Sequence, residues 1–181
     1  MKDLFSIAGK VAVVTGGSRG IGAMIARGFL ENGAKVYISA RKEEELNATA
    51  QELSAFGECV PIVADLGSQA GTEAFARALQ ERESKIDILV NNAGITRHAR
   101  DHSDLDALSR DDFMDTYAVN VAGPFLLMQA CKPLLVKAYE ESGRASAVLN
   151  VSSIAGVTGI GSSVAYAATK GALNTMTLSL A

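Results

Sequence analysis

The strongest constraint on what this chain can fold into is an alternation. Short apolar runs rich in Val and Ile recur between longer stretches with helical periodicity. Runs such as Val11-Ala12-Val13-Val14 and Ile88-Leu89-Val90 are apolar at successive positions, which suits strands covered on both faces rather than strands with one wet face. Strands of that kind, separated by helices, form a parallel sheet with crossover helices on its two sides. Residues 11–15, 35–39, 59–64, 86–91 and 147–151 read as five strands. Helices are predicted over 20–32, ending at Gly33, over 42–56, ending at Gly57, and over 71–83. A long fourth helix follows Ser109, which pairs with Asp112 as a capping box, and a fifth starts near Val164 and is still running at Ala181.

With 181 residues, 48% of them hydrophobic, the chain has the material for one domain with a buried core. Its formal net charge of −3 offers no basic stripe for phosphate neutralisation, so nucleic acid is not an expected partner. No run of eighteen consecutive apolar residues and no apolar leader is present, so the expectation is a cytoplasmic protein without a membrane span. Cys59 and Cys131 stand far apart in apolar contexts and read as inert thiols.

Between the first strand and first helix lies Thr15-Gly16-Gly17-Ser18-Arg19-Gly20-Ile21-Gly22. Glycines at a strand-to-helix turn let backbone N–H groups and the helix dipole meet a pyrophosphate closely. The spacing of Gly16, Gly20 and Gly22 is Gly-x-x-x-Gly-x-Gly, not Gly-x-Gly-x-x-Gly. The same stretch matches Gly-x-Ser-x-Gly, a hydrolase elbow with Ser18 as nucleophile. That elbow belongs after several strands, however, and the only histidines, His98 and His102, sit in a polar loop. The second strand ends in Ala40-Arg41 rather than in the acid that holds a ribose 2′-hydroxyl. A guanidinium grips a 2′-phosphate that an acid would repel, so Arg41, with Arg19 beside the turn, favours NADP over NAD.

Tyr166 and Lys170 stand at i and i+4 on the fifth helix and share one face. An ammonium about 4 Å from a phenol at an effective dielectric near 20 favours the phenolate by roughly 4 kcal/mol. Ser153 follows the fifth strand at the sheet edge where open α/β folds bind ligands, and its hydroxyl can donate to a carbonyl, while Ser152 points elsewhere. Pro124 lies four residues after Asn120, so the Asn120 carbonyl loses its helical N–H partner, the helix should kink, and a water could be held there. His98, Asp101, His102, Asp104 and Asp106 read as a solvated substrate-entry loop, with no metal required.

Together these motifs resemble the short-chain dehydrogenase/reductase family in its single-domain form, across nearly the whole chain. The resemblance implies a Rossmann-like, doubly wound parallel sheet. Gly16, Ser18, Arg19, Gly20, Ile21 and Gly22 would form the cofactor turn, Asp65-Leu66 the adenine contact, and Asn92-Ala93-Gly94 the loop beneath the cofactor. Asn120, Ser153, Tyr166 and Lys170 match the family's catalytic four. The implied reaction is hydride delivery from NADPH to a carbonyl carbon, with Tyr166 protonating the oxygen and Ser153 polarising it. Lys170 would bind the nicotinamide ribose and activate Tyr166, and Asn120 would hold a relay water. Residues 4–22 and 87–96 look most like 3-oxoacyl thioester reductases, including the rhamnolipid-associated type. Alcohol, sugar and steroid dehydrogenases share the same four, and a noncatalytic NADP-binding protein would keep only the turn. Homodimers or homotetramers are implied. Family members also continue beyond this C-terminus with further strands and a substrate lid, so the chain is expected to be incomplete as a sheet and unstable or inactive alone.

Overall fold

The computed structural model describes residues 5–97 and 104–181. Five parallel strands form one sheet in the order β3-β2-β1-β4-β5, where β1 is Val11–Thr15, β2 Lys35–Ala40, β3 Cys59–Val63, β4 Ile88–Asn91 and β5 Ala147–Asn150. Strand order reverses direction between β1 and β4. A doubly wound sheet opens its crevice at such a point, beyond the carboxyl ends of the strands. Each predicted strand is present, β1 with the predicted bounds and the others with one end moved by one or two residues. Ile86 and Asp87 fall outside β4, because the Ile86 N–H goes to the Leu134 carbonyl while the Asp87 N–H still reaches Val11.

Alternation along β1 divides the core. Val11 and Val13 face one side with Tyr37, Phe75, Leu79, Leu89, Leu127 and Cys131, whereas Ala12 and Val14 face the other with Leu30, Val36, Ile38, Leu46 and Val90. On that second side lie α1 (Gly20–Glu31) and α2 (Glu43–Leu53). The first side takes α3 (Gln69–Gln80) and α5 (Gly123–Ser142). Helix α3 starts two residues earlier than predicted because the Ser68 hydroxyl accepts the Gly71 N–H as its cap. Gly33 takes the expected left-handed conformation after α1, at φ +81°.

The predicted fourth helix is three pieces. Helix α4 (Arg110–Tyr117) opens on the Ser109–Asp112 capping box, a π turn follows over Ala118–Ala122, and α5 completes the run. Where a kink is expected, the backbone widens by one residue. Pro124 has no N–H to give Asn120, and the Gly123 N–H bonds back to Ala118. Gly123 also lets this turn press on the Leu66 carbonyl, which a β-carbon there would meet at 2.5 Å. By length and composition the Arg110–Ser142 run could cross a membrane, although no eighteen consecutive residues are apolar. Here its Leu127, Cys131 and Leu134 pack into the core beside α3.

After β5 the chain makes a one-turn helix not foreseen from sequence, α6 (Ala155–Thr158), and then α7 (Val164–Leu180), capped by Ser163. Strand β5 corrects the expectation of strands buried on both faces. All of β1 is buried, but Ala147, Val148 and Leu149 are exposed, because β5 pairs with β4 alone and, among the described residues, no helix is closely packed on its faces. Cys131 is buried and Cys59 half-buried, and burial pushes their thiols up to about 12 and about 11, which keeps them protonated and unreactive.

Candidate active site

Thr15 anchors the site. Its hydroxyl donates to the Val90 carbonyl (3.2 Å) and accepts the N–H groups of Asn92 and Ala93, each at 3.0 Å, tying β1 to the loop after β4. The Asn92 amide then donates to the carbonyls of Thr15 (2.8 Å) and Gly16 (3.1 Å). One hydroxyl and one amide thus weld the glycine turn to the Asn92–Gly94 loop across the point where strand order reverses. Thr15 heads the turn that the sequence resemblance assigns to the cofactor, but no separate role for it is evident from sequence. Its signal was a polar residue at the end of an otherwise apolar strand.

The turn is shaped by contacts that only glycine permits. A β-carbon at Gly22 would lie 2.2 Å from the Gly16 carbonyl oxygen, and one at Gly16, where φ is +65°, would lie 2.9 Å from Ala93 Cα. At Gly20 (φ +56°) the space is open. Helix α1 has no side-chain cap and no acid in its first turn. By contrast, α3, α4 and α7 are each capped by their own serine. The first N–H groups of α1 therefore remain available to an anionic ligand.

Above this turn is a cleft of about 360 Å³. It brings together most of the residues predicted for the nucleotide: Gly16, Ser18, Arg19, Gly20, Ile21 and Gly22 from the turn, Arg41 from the end of β2, Asp65 and Leu66 after β3, and Asn92, Ala93 and Gly94 after β4, whereas Tyr166 and Lys170, also predicted to bind the cofactor, are not among its lining residues. Asp65 shapes its own loop by accepting the Gly67 N–H at 3.1 Å. Other lining residues were not foreseen, among them Lys42, Glu45 and Val119. Glu45 had no detectable signal, since nothing local tells which face of α2 overlooks the turn. A pyrophosphate and a 2′-phosphate fit this donor set, which combines the uncapped N–H groups of α1 with the exposed side chains of Arg19, Arg41 and Lys42.

The predicted catalytic residues lie beyond that lining and meet it at Gly94. A β-carbon on Gly94 would lie 3.3 Å from Asn120 Oδ1 and 3.7 Å from Lys170 Nζ. The buried Asn120 side chain is fully engaged. Its Oδ1 accepts the Ile95 N–H (2.8 Å), and its amide donates to the Ile95 carbonyl (2.9 Å) and to Thr169 Oγ1 (3.0 Å). Asn120 thus bridges the loop after β4 to α7, and the π turn presents it there. Lys170 is only 4% exposed and donates from Nζ to the Val151 carbonyl at 2.7 Å. Burial lowers its pKa below the ordinary lysine value. Its ammonium sits 5.6 Å from the centre of the Tyr166 ring, so the pair shares a face of α7 as the spacing predicted. Among the described residues Lys170 has no carboxylate partner. A buried, unpaired lysine is costly and marks a functional position more often than a structural one.

Ser152 and Ser153 diverge as expected. The Ser152 hydroxyl donates to the Lys170 carbonyl (3.2 Å), while Ser153 Oγ accepts the Ala155 N–H (3.2 Å), leaving its own hydrogen to give. Of the acidic and histidine loop, His98, Asp101 and His102 lie outside the described residues. Asp104 and Asp106 are exposed, with Asp104 accepting the Asp106 N–H.

A family model described as short chain dehydrogenase matches residues 10–181, and the chain belongs to that family of oxidoreductases. The rhamnolipids biosynthesis 3-oxoacyl-[acyl-carrier-protein] reductase of Pseudomonas aeruginosa is 42% identical over 182 residues, covering 100% of this chain and 69% of that protein. The short-chain dehydrogenase/reductase PhomF of Diaporthe leptostromiformis is 38% identical over 144 residues, 74% of this chain and 49% of that protein. Among solved structures, the Pseudomonas aeruginosa RhlG/NADP active-site complex superposes with a TM-score of 0.91 at 42% identity, covering 98% of this chain and 68% of that one. The chain therefore spans between half and about two-thirds of the length of these relatives.

Proposed function

We propose that this chain carries the chemistry of an NADPH-dependent carbonyl reductase whose substrate is a 3-oxoacyl thioester and whose product is the 3-hydroxy compound. The observation that carries the reading is the buried Lys170, with its ammonium 5.6 Å from the Tyr166 ring centre, set beside Gly94 at the end of the nucleotide cleft. The similarity to a 3-oxoacyl reductase and to an NADP complex supports the substrate and cofactor. When bound, the nicotinamide supplies the hydride.

The chain's own residues would do the rest. Main-chain N–H groups of Gly20, Ile21 and Gly22 would take the pyrophosphate, with Arg19 and Arg41 on the 2′-phosphate. Asp65 and Leu66 would flank the adenine, and Asn92, Ala93 and Gly94 would floor the cleft. Ser153 would donate its free hydrogen to the substrate carbonyl, and Tyr166 would pass its proton to the same oxygen as general acid. Lys170 stabilises the phenolate left behind, through a charge held in a dry place where it is weakly screened. Asn120 fixes the loop over Lys170, and its main-chain carbonyl, which Pro124 cannot satisfy, is the acceptor for a water returning the proton. Assembly with copies of itself is supported by the apolar residues left exposed on α5, Phe125, Val136 and Tyr139, and the setting proposed is the cytoplasm.

The test, made on the full-length protein, is NADPH oxidation driven by an acetoacetyl thioester, compared with sugars and steroids. Tyr166→Phe is expected to cost between about 10² and 10⁴ in rate while nucleotide binding persists. Full activity in that variant would sink the mechanism.

A further inference from the structure

The cleft contains a carboxylate where the reading above needs only cations. Glu45 lines it together with Ser18, Arg19, Arg41 and Lys42. The Ser18 hydroxyl donates to Glu45 Oε1 at 2.9 Å, and Arg19 Nε approaches the same oxygen at 3.8 Å. These two residues belong to the turn and would otherwise face an incoming phosphate. A serine has a single O–H to give, so Ser18 cannot donate to Glu45 and to a phosphate at once. The Arg19 contact is looser. That side chain is 80% exposed and its distance exceeds a hydrogen bond, so the ion pair is weak and the guanidinium readily turns away.

One turn further along α2, Thr49 fixes the Ser18 main chain, donating from Oγ1 to the Ser18 carbonyl at 2.7 Å while also reaching the Glu45 carbonyl at 3.0 Å. Two side chains of one helix face therefore act on one residue of the turn in different ways. Thr49 holds its backbone, which places the turn for any dinucleotide. Glu45 holds its hydroxyl, which matters only to a ligand that needs that hydroxyl or is repelled by that charge. The other charged groups lining the cleft are Arg19, Arg41, Lys42 and Asp65, so Glu45 is the acid set among the cations at its phosphate end.

We propose that Glu45 is a specificity-determining residue: its carboxylate competes with a 2′-phosphate for the Ser18 hydroxyl and the Arg19 guanidinium, and so restrains the preference of this chain for NADPH over NADH. The proposal rests on the NADP reading of the cleft. It makes the cation count at Arg19, Arg41 and Lys42 an overstatement of that preference, because one acid is already drawing on the same donors.

The experiment measures dissociation constants of NADPH and NADH, by nucleotide fluorescence, for the unaltered chain and for E45Q, T49V and R41A, with melting curves to confirm folding. E45Q keeps an oxygen for the Ser18 hydroxyl but removes the charge. It is expected to tighten NADPH by about three- to tenfold and to leave NADH within about twofold, with the gain shrinking as salt is raised. T49V is expected to weaken both nucleotides by the same factor. Equal changes for both nucleotides in E45Q, a loss of NADPH affinity there, or a T49V that raises the NADPH preference as much as E45Q would each overturn the proposal. An unaltered chain with no NADPH preference, and an R41A that moves nothing, would overturn the NADP reading itself. A preference abolished by R41A but untouched by E45Q would overturn the role of Glu45 alone.

Discussion

Two of the strands whose carboxyl ends build this site, β1 and β5, are held very differently. Every residue of β1 is buried, with β2 and β4 paired on either side, and the turn after it is locked by Thr15, Asn92 and two glycines with no room for a side chain. Strand β5 is an edge with three of its four residues exposed, and the residues after it depend on α7 for their placement. Val151 is held by the Lys170 ammonium, Ser152 by the Lys170 carbonyl, and Asn150 by Thr177. The nucleotide half is thus shaped by the sheet itself, whereas the catalytic half is shaped by one helix packed against an open edge. Loosening α7 should therefore disturb chemistry before it disturbs nucleotide binding.

The harshest way to break this contrast is Gly22→Ala. Its β-carbon would meet main-chain oxygen at 2.2 Å, so the turn must open, at a cost of about 3 kcal/mol or on the order of a hundredfold in nucleotide dissociation constant. Gly156→Ala is the counterpart across the cleft, placing a β-carbon 2.6 Å from the main chain of Lys170. It should cost about 1–3 kcal/mol of stability and most of the turnover, yet weaken nucleotide binding less than Gly22→Ala does. Equal losses of binding in the two variants would erase the distinction between the halves.

Asn120→Ala comes next. It strands the Ile95 N–H and carbonyl and frees Thr169, so a loss of about 1–3 kcal/mol is expected by chemical denaturation, together with reduced turnover. The smallest effect concerns Lys170 and pH. Burial lowers its pKa in the folded chain, so between that value and the ordinary 10.5 the unfolded chain binds more protons. Stability contributed at this position is therefore poorest where the lysine is charged in both states, and improves as pH rises through the lowered value toward 10.5. The melting temperature of the unaltered chain, measured against Lys170→Met, should rise relative to that variant over this alkaline range. A difference independent of pH would mean that burial does not penalise the Lys170 charge.

Much of this was legible in sequence because its causes are local. The apolar runs at 11–14 and 88–90 fit strands buried on both faces better than strands with one wet face, and Tyr166 and Lys170 share a helix face through spacing alone. The turn from Gly16 to Gly22 announced itself by its glycines, of which Gly16 and Gly22 leave no room for a side chain. Contacts between distant segments were not legible. Sequence placed a proline four residues after Asn120 and so foretold a disturbed helix, but not that the disturbance takes the form of a π turn lying against Leu66 and bonded through Asn120 to Ile95.

What the sequence by itself determined is the layered α/β fold, the nucleotide turn, and the residue types of the catalytic group, because periodicity, glycine sterics and helical spacing act within a few residues. Only the tertiary structure decided that Thr15 joins the turn to the loop after β4, that β5 lies bare at an edge, and that Glu45 stands among the phosphate-facing cations. Each of those depends on which faces of separate elements meet, and that is settled by the packing of the whole sheet rather than by any one segment.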